Sequence, residues 1–78
     1  MELDVNGATM ALDPDATIAD LVTALTGRAL DSRGAARDGA PLGIAVAVGA
    51  SVVPRARWSG HRLSPGDRVE VLTAAQGG

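Results

Sequence analysis

Covalent catalysis by a side chain needs an activated Ser, Cys, Thr or Lys beside a base that takes its proton. The chain of 78 residues has no Cys, no Lys and a single His, His61, set between Gly60 and Arg62. No nucleophile and base share a triad-like arrangement, and His61 reads as an exposed loop residue. Asp13, Asp15 and Asp20 crowd one stretch. They lack the glycine and the bidentate Glu of a calcium loop, and their place at a helix start accounts for them as capping and dipole-complementing acids. The glycines assemble into neither GxGxxG nor a phosphate loop. The lack of Cys also removes disulfides, zinc-thiolate sites and redox motifs. The expectation is no catalytic side chain, no metal and no cofactor.

One backbone group remains. The last residues are Ala74-Ala75-Gln76-Gly77-Gly78, and a tail whose final residues have no Cβ enters a narrow cleft fully extended, with its carboxylate open on both faces. A carboxylate resists nucleophiles. Transfer of AMP from ATP makes it a mixed anhydride, whose leaving group a persulfide or thiol then displaces. Gly78 is therefore the candidate site of covalent modification, with Gly77 and Gln76 providing access to a partner's cleft.

The elements that must carry this tail follow from patterning. Leu3 and Val5, then Met10 and Leu12, alternate around Asn6-Gly7, the strongest short hairpin signal because both central residues of the turn take positive φ. This predicts a hairpin over 2–12. Asp13-Pro14-Asp15-Ala16 breaks the strand, and Thr17 with Asp20 resembles a capping box. Ile18, Leu21, Val22 and Leu25 then mark one helical face that stops at Gly27. Residues 28–41 hold almost no large apolar side chain and read as a mobile surface loop, in which Arg28, Arg33 and Arg37 fit no defined motif.

Ile44, Val46 and Val48 alternate as a strand, Gly49-Ala50 fits a type II′ turn, and Val52-Val53 begins a return strand stopped by Pro54. Pro65-Gly66 has the order of a type II turn, after which residues 68–72 alternate as the last strand. Trp58, the single aromatic residue, reads as a plug at the sheet edge, and Arg55 as a surface charge at a strand end. Hairpin, helix, loop, strand pair and final strand make a two-layer α+β module with one main helix on one face of a mixed five-stranded sheet. The first and last strands cannot be joined by a short turn. Central, parallel pairing of the two, the arrangement of the ubiquitin-like β-grasp, is the expected topology, with a domain over 1–73 and a flexible tail over 74–78.

Leu, Ile and Val are just numerous enough for a thin core, closed by Ala in place of Phe and Tyr, which are absent. A net charge of -2 with scattered Arg argues against a nucleic-acid face. No apolar run approaches a membrane span and the start Met1-Glu2-Leu3-Asp4 has no basic export signal, so a cytoplasmic location is expected.

The Asn6-Gly7 hairpin, Thr17-Ile18-Ala19-Asp20-Leu21, Ala45-Val46-Ala47-Val48, Val52-Val53-Pro54-Arg55, Trp58, Gly66-Asp67-Arg68-Val69-Glu70-Val71 and Gln76-Gly77-Gly78 together resemble the ThiS family, sulfur carriers of thiamine (thiazole) biosynthesis. The resemblance spans nearly the whole chain. It implies a β-grasp fold that is a protein co-substrate and no enzyme. It further implies adenylation of the Gly78 carboxylate by a ThiF-like activating enzyme, conversion to a thiocarboxylate with sulfur from a cysteine desulfurase system, and delivery to the thiazole synthase ThiG. Two departures stand out: Gly49-Ala50 replaces the Asn-Gly frequent in the family's second hairpin, and the loop 28–41 is longer than the family leads one to expect.

Three alternatives stay open. A MoaD-like sulfur carrier for molybdopterin shares fold and Gly-Gly end, although such chains tend to approach the glycines through Pro, where this one has Thr73-Ala74-Ala75-Gln76. A ubiquitin-like modifier would instead form isopeptides with lysines, and a plain interaction module would not need Gly78 at all. If Val69 and Val71 face the helix, Leu72 faces outward, which makes Leu72 and Ala75 the candidates for partner docking.

Overall fold

A computed structural model describes residues 1–39 and 42–73. Strands β1 (Glu2–Val5) and β2 (Ala8–Ala11) lead into helix α1 (Ile18–Thr26), and β3 (Ile44–Val48), β4 (Ser51–Val53) and β5 (Arg68–Thr73) follow. They form one five-stranded sheet in the order β2-β1-β5-β3-β4, in which β1 and β5 are parallel and every other neighbouring pair is antiparallel. The first and last strands are thus central and parallel, as the topology argument requires, and the fold is a ubiquitin-like β-grasp.

Each turn adopts the geometry its residues favour. Asn6 and Gly7 take φ of 53° and 85°, the doubly positive pattern of a type I′ turn, and Val5 pairs directly with Ala8. Gly49 has φ 63° while Ala50 does not share the positive region, in keeping with the II′ assignment. Gly66 takes φ 82° at the third position of a turn closed by the Asp67 amide donating to the Ser64 carbonyl at 3.0 Å.

The capping box is present in both directions. The Thr17 amide donates to Asp20 Oδ2 at 2.9 Å, and the Asp20 amide to Thr17 Oγ1 at 3.2 Å. Gly27 ends α1 in the left-handed region with its amide donating to the Thr23 carbonyl at 2.8 Å. Ile18, Leu21 and Val22 are fully buried beneath the sheet, but Leu25 is 46 % exposed and does not complete the helical face expected of it. The reason lies in length: α1 has nine residues, and Leu25 falls in its last turn, short of full cover.

The core joins these side chains to Leu3, Val5, Val46, Val53, Trp58, Leu63 and Val69. Trp58 sits on a 3₁₀ helix (Arg55–Gly60) that the sequence reading did not anticipate, immediately after Pro54 stops β4. The following segment runs back along the start of α1: the Ile18 amide donates to the His61 carbonyl and the Leu63 amide to the Ala16 carbonyl, each at 3.0 Å.

Between α1 and β3 the chain folds back on itself through a bridge between Leu30 and Ala36. Asp31 Oδ1 accepts from the amides of Arg33 at 2.8 Å and Ala35 at 3.0 Å. Those two backbone bonds hold the Asp31 carboxyl below the usual aspartate range. Arg28 pairs with Asp38 at 2.8 Å, and the Ser59 hydroxyl donates to the Ser32 carbonyl at 3.0 Å, fastening this segment to the 3₁₀ helix.

Candidate functional site

Gly78, Gly77, Gln76 and Ala75, the expected modification site with its approach, lie outside the described residues. What the structure shows is the platform that leads to them. β5 runs up the middle of the sheet to Thr73, flanked by β1 and β3.

Alternation along β5 divides its side chains between two faces. Val69 is fully buried and Val71 half-buried on the helix side, whereas Arg68, Glu70 and Leu72 emerge on the opposite, uncovered face. Leu72 is 61 % exposed, the facing that the strand period predicts. Register then shows its neighbours. Leu72 lies opposite Ala45 of β3, Ala47 lies opposite both Glu70 and Val52, and Val52 on β4 is 72 % exposed. Leu72, Ala45, Ala47 and Val52 therefore form an apolar area that crosses three adjacent strands beside the chain's exit toward the tail.

Sequence reading found Leu72 and missed Val52. The signal was available: in Ser51-Val52-Val53, burial of Val53 forces Val52 to the other face, but only knowledge of which valine is buried decides between them. A second feature legible only in part is the role of Asn6. Beyond shaping its turn, its side-chain amide meets both backbone groups of Val71, donating from Nδ2 to the Val71 carbonyl at 3.1 Å and accepting the Val71 amide on Oδ1 at 2.8 Å.

No side-chain arrangement capable of bond-making gathers around this platform among the described residues. His61 contributes its backbone carbonyl to the start of α1, and no group of three His, Cys, Asp or Glu is placed to hold a metal ion among those residues. Among the described residues, no helix is long and apolar enough to cross a membrane.

A five-stranded mixed sheet with helix α1 on one face and the first and last strands central and parallel defines the ubiquitin-like β-grasp class. The chain belongs to the ThiS family of small ubiquitin-like sulfur carriers, whose model matches residues 3–78. Among solved structures it is similar to the thiamine biosynthesis protein ThiS from Geobacter metallireducens, with 24% identity, full coverage of both chains and a TM-score of 0.69. It is also similar to SAMP1 from Haloferax volcanii, with 24% identity, 99% coverage of this chain, 97% of that one and a TM-score of 0.58. At such identities the two structures establish the shared fold. No curated protein matches the chain.

Proposed function

We propose that this protein carries sulfur for thiazole formation in thiamine biosynthesis, as a thiocarboxylate on Gly78. The observation that carries the reading is the family match, which extends through the terminal Gly77-Gly78. A ThiF-like enzyme transfers AMP from ATP to the Gly78 carboxylate and releases pyrophosphate. A persulfide supplied by a cysteine desulfurase system attacks the acyl carbon and expels AMP. A thiol then attacks the donor's sulfur in the S–S bond, which leaves the thiocarboxylate on Gly78 and a disulfide between thiol and donor. ThiG accepts that sulfur in the cytoplasm.

The chain's own residues supply reach and recognition. The terminal pair of glycines passes through a narrow cleft, and the open sheet face with Leu72, together with Ala75 on the tail, docks the partner. The test is incubation with the activating enzyme, ATP and a sulfur donor, followed by mass analysis of the C-terminal peptide. A sulfur-for-oxygen mass increase confined to Gly78 is the expected result. Isopeptide adducts on lysines in place of a free thiocarboxylate would reassign the protein as a modifier. Sulfur delivery that supports molybdopterin formation, with none to ThiG, would reassign it to the MoaD type.

A further inference from the structure

The parallel ladder between β1 and β5 is built from regularly spaced donors. The Asp4 amide donates to the Asp67 carbonyl and the Asn6 amide to the Val69 carbonyl, each at 2.9 Å. Continued by the same step, the next donor toward the Val71 carbonyl would be the amide of residue 8. That amide has left the ladder, because the chain reverses at Asn6-Gly7 and Ala8 already belongs to β2 on the far side of β1. Without a substitute, β5 would lose its β1-side partner after Val69, four residues before the strand ends at Thr73.

The Asn6 side chain is that substitute. Its Nδ2 donates to the Val71 carbonyl at 3.1 Å and its Oδ1 accepts the Val71 amide at 2.8 Å, so that one primary amide presents a peptide-like donor and acceptor to the strand. The turn itself needs only a residue that tolerates φ of 53°, which Asn, Asp and Gly all do. Of these, Asp lacks the donor and Gly lacks both groups. The pairing with Val71 selects Asn where the turn alone does not.

We infer that Asn6 is a positioning residue for the tail: it holds the last turns of the β5 ladder in line, and so fixes the direction in which Thr73 hands the chain on toward Gly78. This inference rests on the sulfur-carrier reading for the reaction in which the positioning matters. A strand end held in place before docking has less conformational freedom to lose when the activating enzyme receives the tail. The enzyme's own grip restores the same order in ground and transition states alike, so loss of the clamp raises KM and leaves kcat unchanged.

The experiment compares wild type, Asn6→Gly and Asn6→Asp. Asn6→Gly keeps the turn and deletes both bonds. Asn6→Asp keeps the acceptor for the Val71 amide and sets a carboxylate against the Val71 carbonyl. ATP–pyrophosphate exchange with the ThiF-like enzyme is expected to show KM for the carrier raised about fivefold in Asn6→Gly, with kcat within about twofold of wild type. Amide hydrogen exchange, which needs no partner, is expected to show the Val71 N–H exchanging at least tenfold faster in Asn6→Gly. The Leu72 N–H, which points to the β3 edge, is expected to stay protected, and Asn6→Asp is expected to retain protection at Val71 while still raising KM.

Failure of wild type to support exchange would sink the carrier reading, whereas the Val71 exchange comparison would still report the clamp. Unchanged KM in both variants, beside an active wild type, would overturn the inference. So would loss of cooperative folding in both, since Asn6 would then support the whole domain and not its strand end.

Discussion

The indole N–H of Trp58 donates to the Val53 carbonyl at 2.9 Å, with the ring only 1 % exposed. The bond ties the 3₁₀ helix to the end of β4, where Pro54 has ended the ladder. In a chain without Phe or Tyr, this ring is the largest single block of buried apolar surface. Trp58→Ala is expected to cost about 3–5 kcal/mol, comparable with the whole stability of a domain this small. It is therefore expected to abolish a cooperative thermal transition. Trp58→Phe, which keeps most of the volume and removes the bond to the Val53 carbonyl, is expected to cost about 1–2 kcal/mol. Urea unfolding followed by circular dichroism distinguishes the two.

Gly34 adopts φ of 81° against Arg55, and a Cβ at this position would lie 2.5 Å from the Arg55 carbonyl oxygen. Backbone cannot yield as a flexible side chain does. Gly34→Ala is expected to destabilise the domain by about 2–3 kcal/mol, the sum of left-handed strain and the clash. Gly39, at φ 80° with nothing within 4 Å of an added Cβ, is the control: Gly39→Ala is expected to cost only the strain, about 1–2 kcal/mol. Equal losses in the two variants would show that the contact with Arg55 contributes nothing.

Asp31 gives the segment after α1 a pH dependence. Its carboxyl titrates below the ordinary aspartate range because the amides of Ala35 and then Arg33 donate to the charged form. A depressed folded value means that this contribution is complete above the unfolded pKa and is lost as pH falls through the folded one. Amide resonances of Arg33 and Ala35 are expected to shift together in the acid limb, with a midpoint below the ordinary aspartate range. Asp31→Asn is expected to remove that transition and to leave the neutral-pH fold intact. A midpoint within or above the ordinary aspartate range would contradict the geometry.

How much of this was written plainly in the residues depends on the range of the interactions involved. The capping box at Thr17, the glycine stop of α1 and all three turns rest on bonds within a few residues, and they read directly. The central pairing of β1 and β5 followed from topology, since no short turn can join them. Trp58 was legible as a plug, but not the 3₁₀ helix that aims it, because that helix packs against α1, distant in the chain, as well as closing its own short bonds. Leu25 matched the helical period and still lies 46 % exposed, since periodicity marks a direction and not the extent of the sheet above it. Asn6 is the sharpest case. As half of an Asn-Gly turn it had a sufficient local explanation, and its second task, on Val71 at a separation of 65 residues, has no local trace.

The proposed docking face can be separated from general surface hydrophobicity by comparing its two large residues with Leu25. Leu72 and Val52 flank Ala45 and Ala47 on the open side of the sheet, while Leu25 is exposed on the helix layer across the domain. Burial of a Leu in an interface contributes about 1.5–3 kcal/mol, so Leu72→Glu is expected to lower kcat/KM for adenylation roughly 10- to 100-fold. Val52→Glu, farther from the tail, is expected to lower it by a smaller factor in the same direction. Neither residue is buried in the free protein, so both variants are expected to unfold within about 0.5 kcal/mol of wild type. Leu25→Glu provides the contrast: it carries the same change of charge and polarity and is expected to leave kcat/KM unaltered. If all three lower activation equally, partner recognition does not run through the sheet, and the apolar area around Leu72 must be assigned elsewhere.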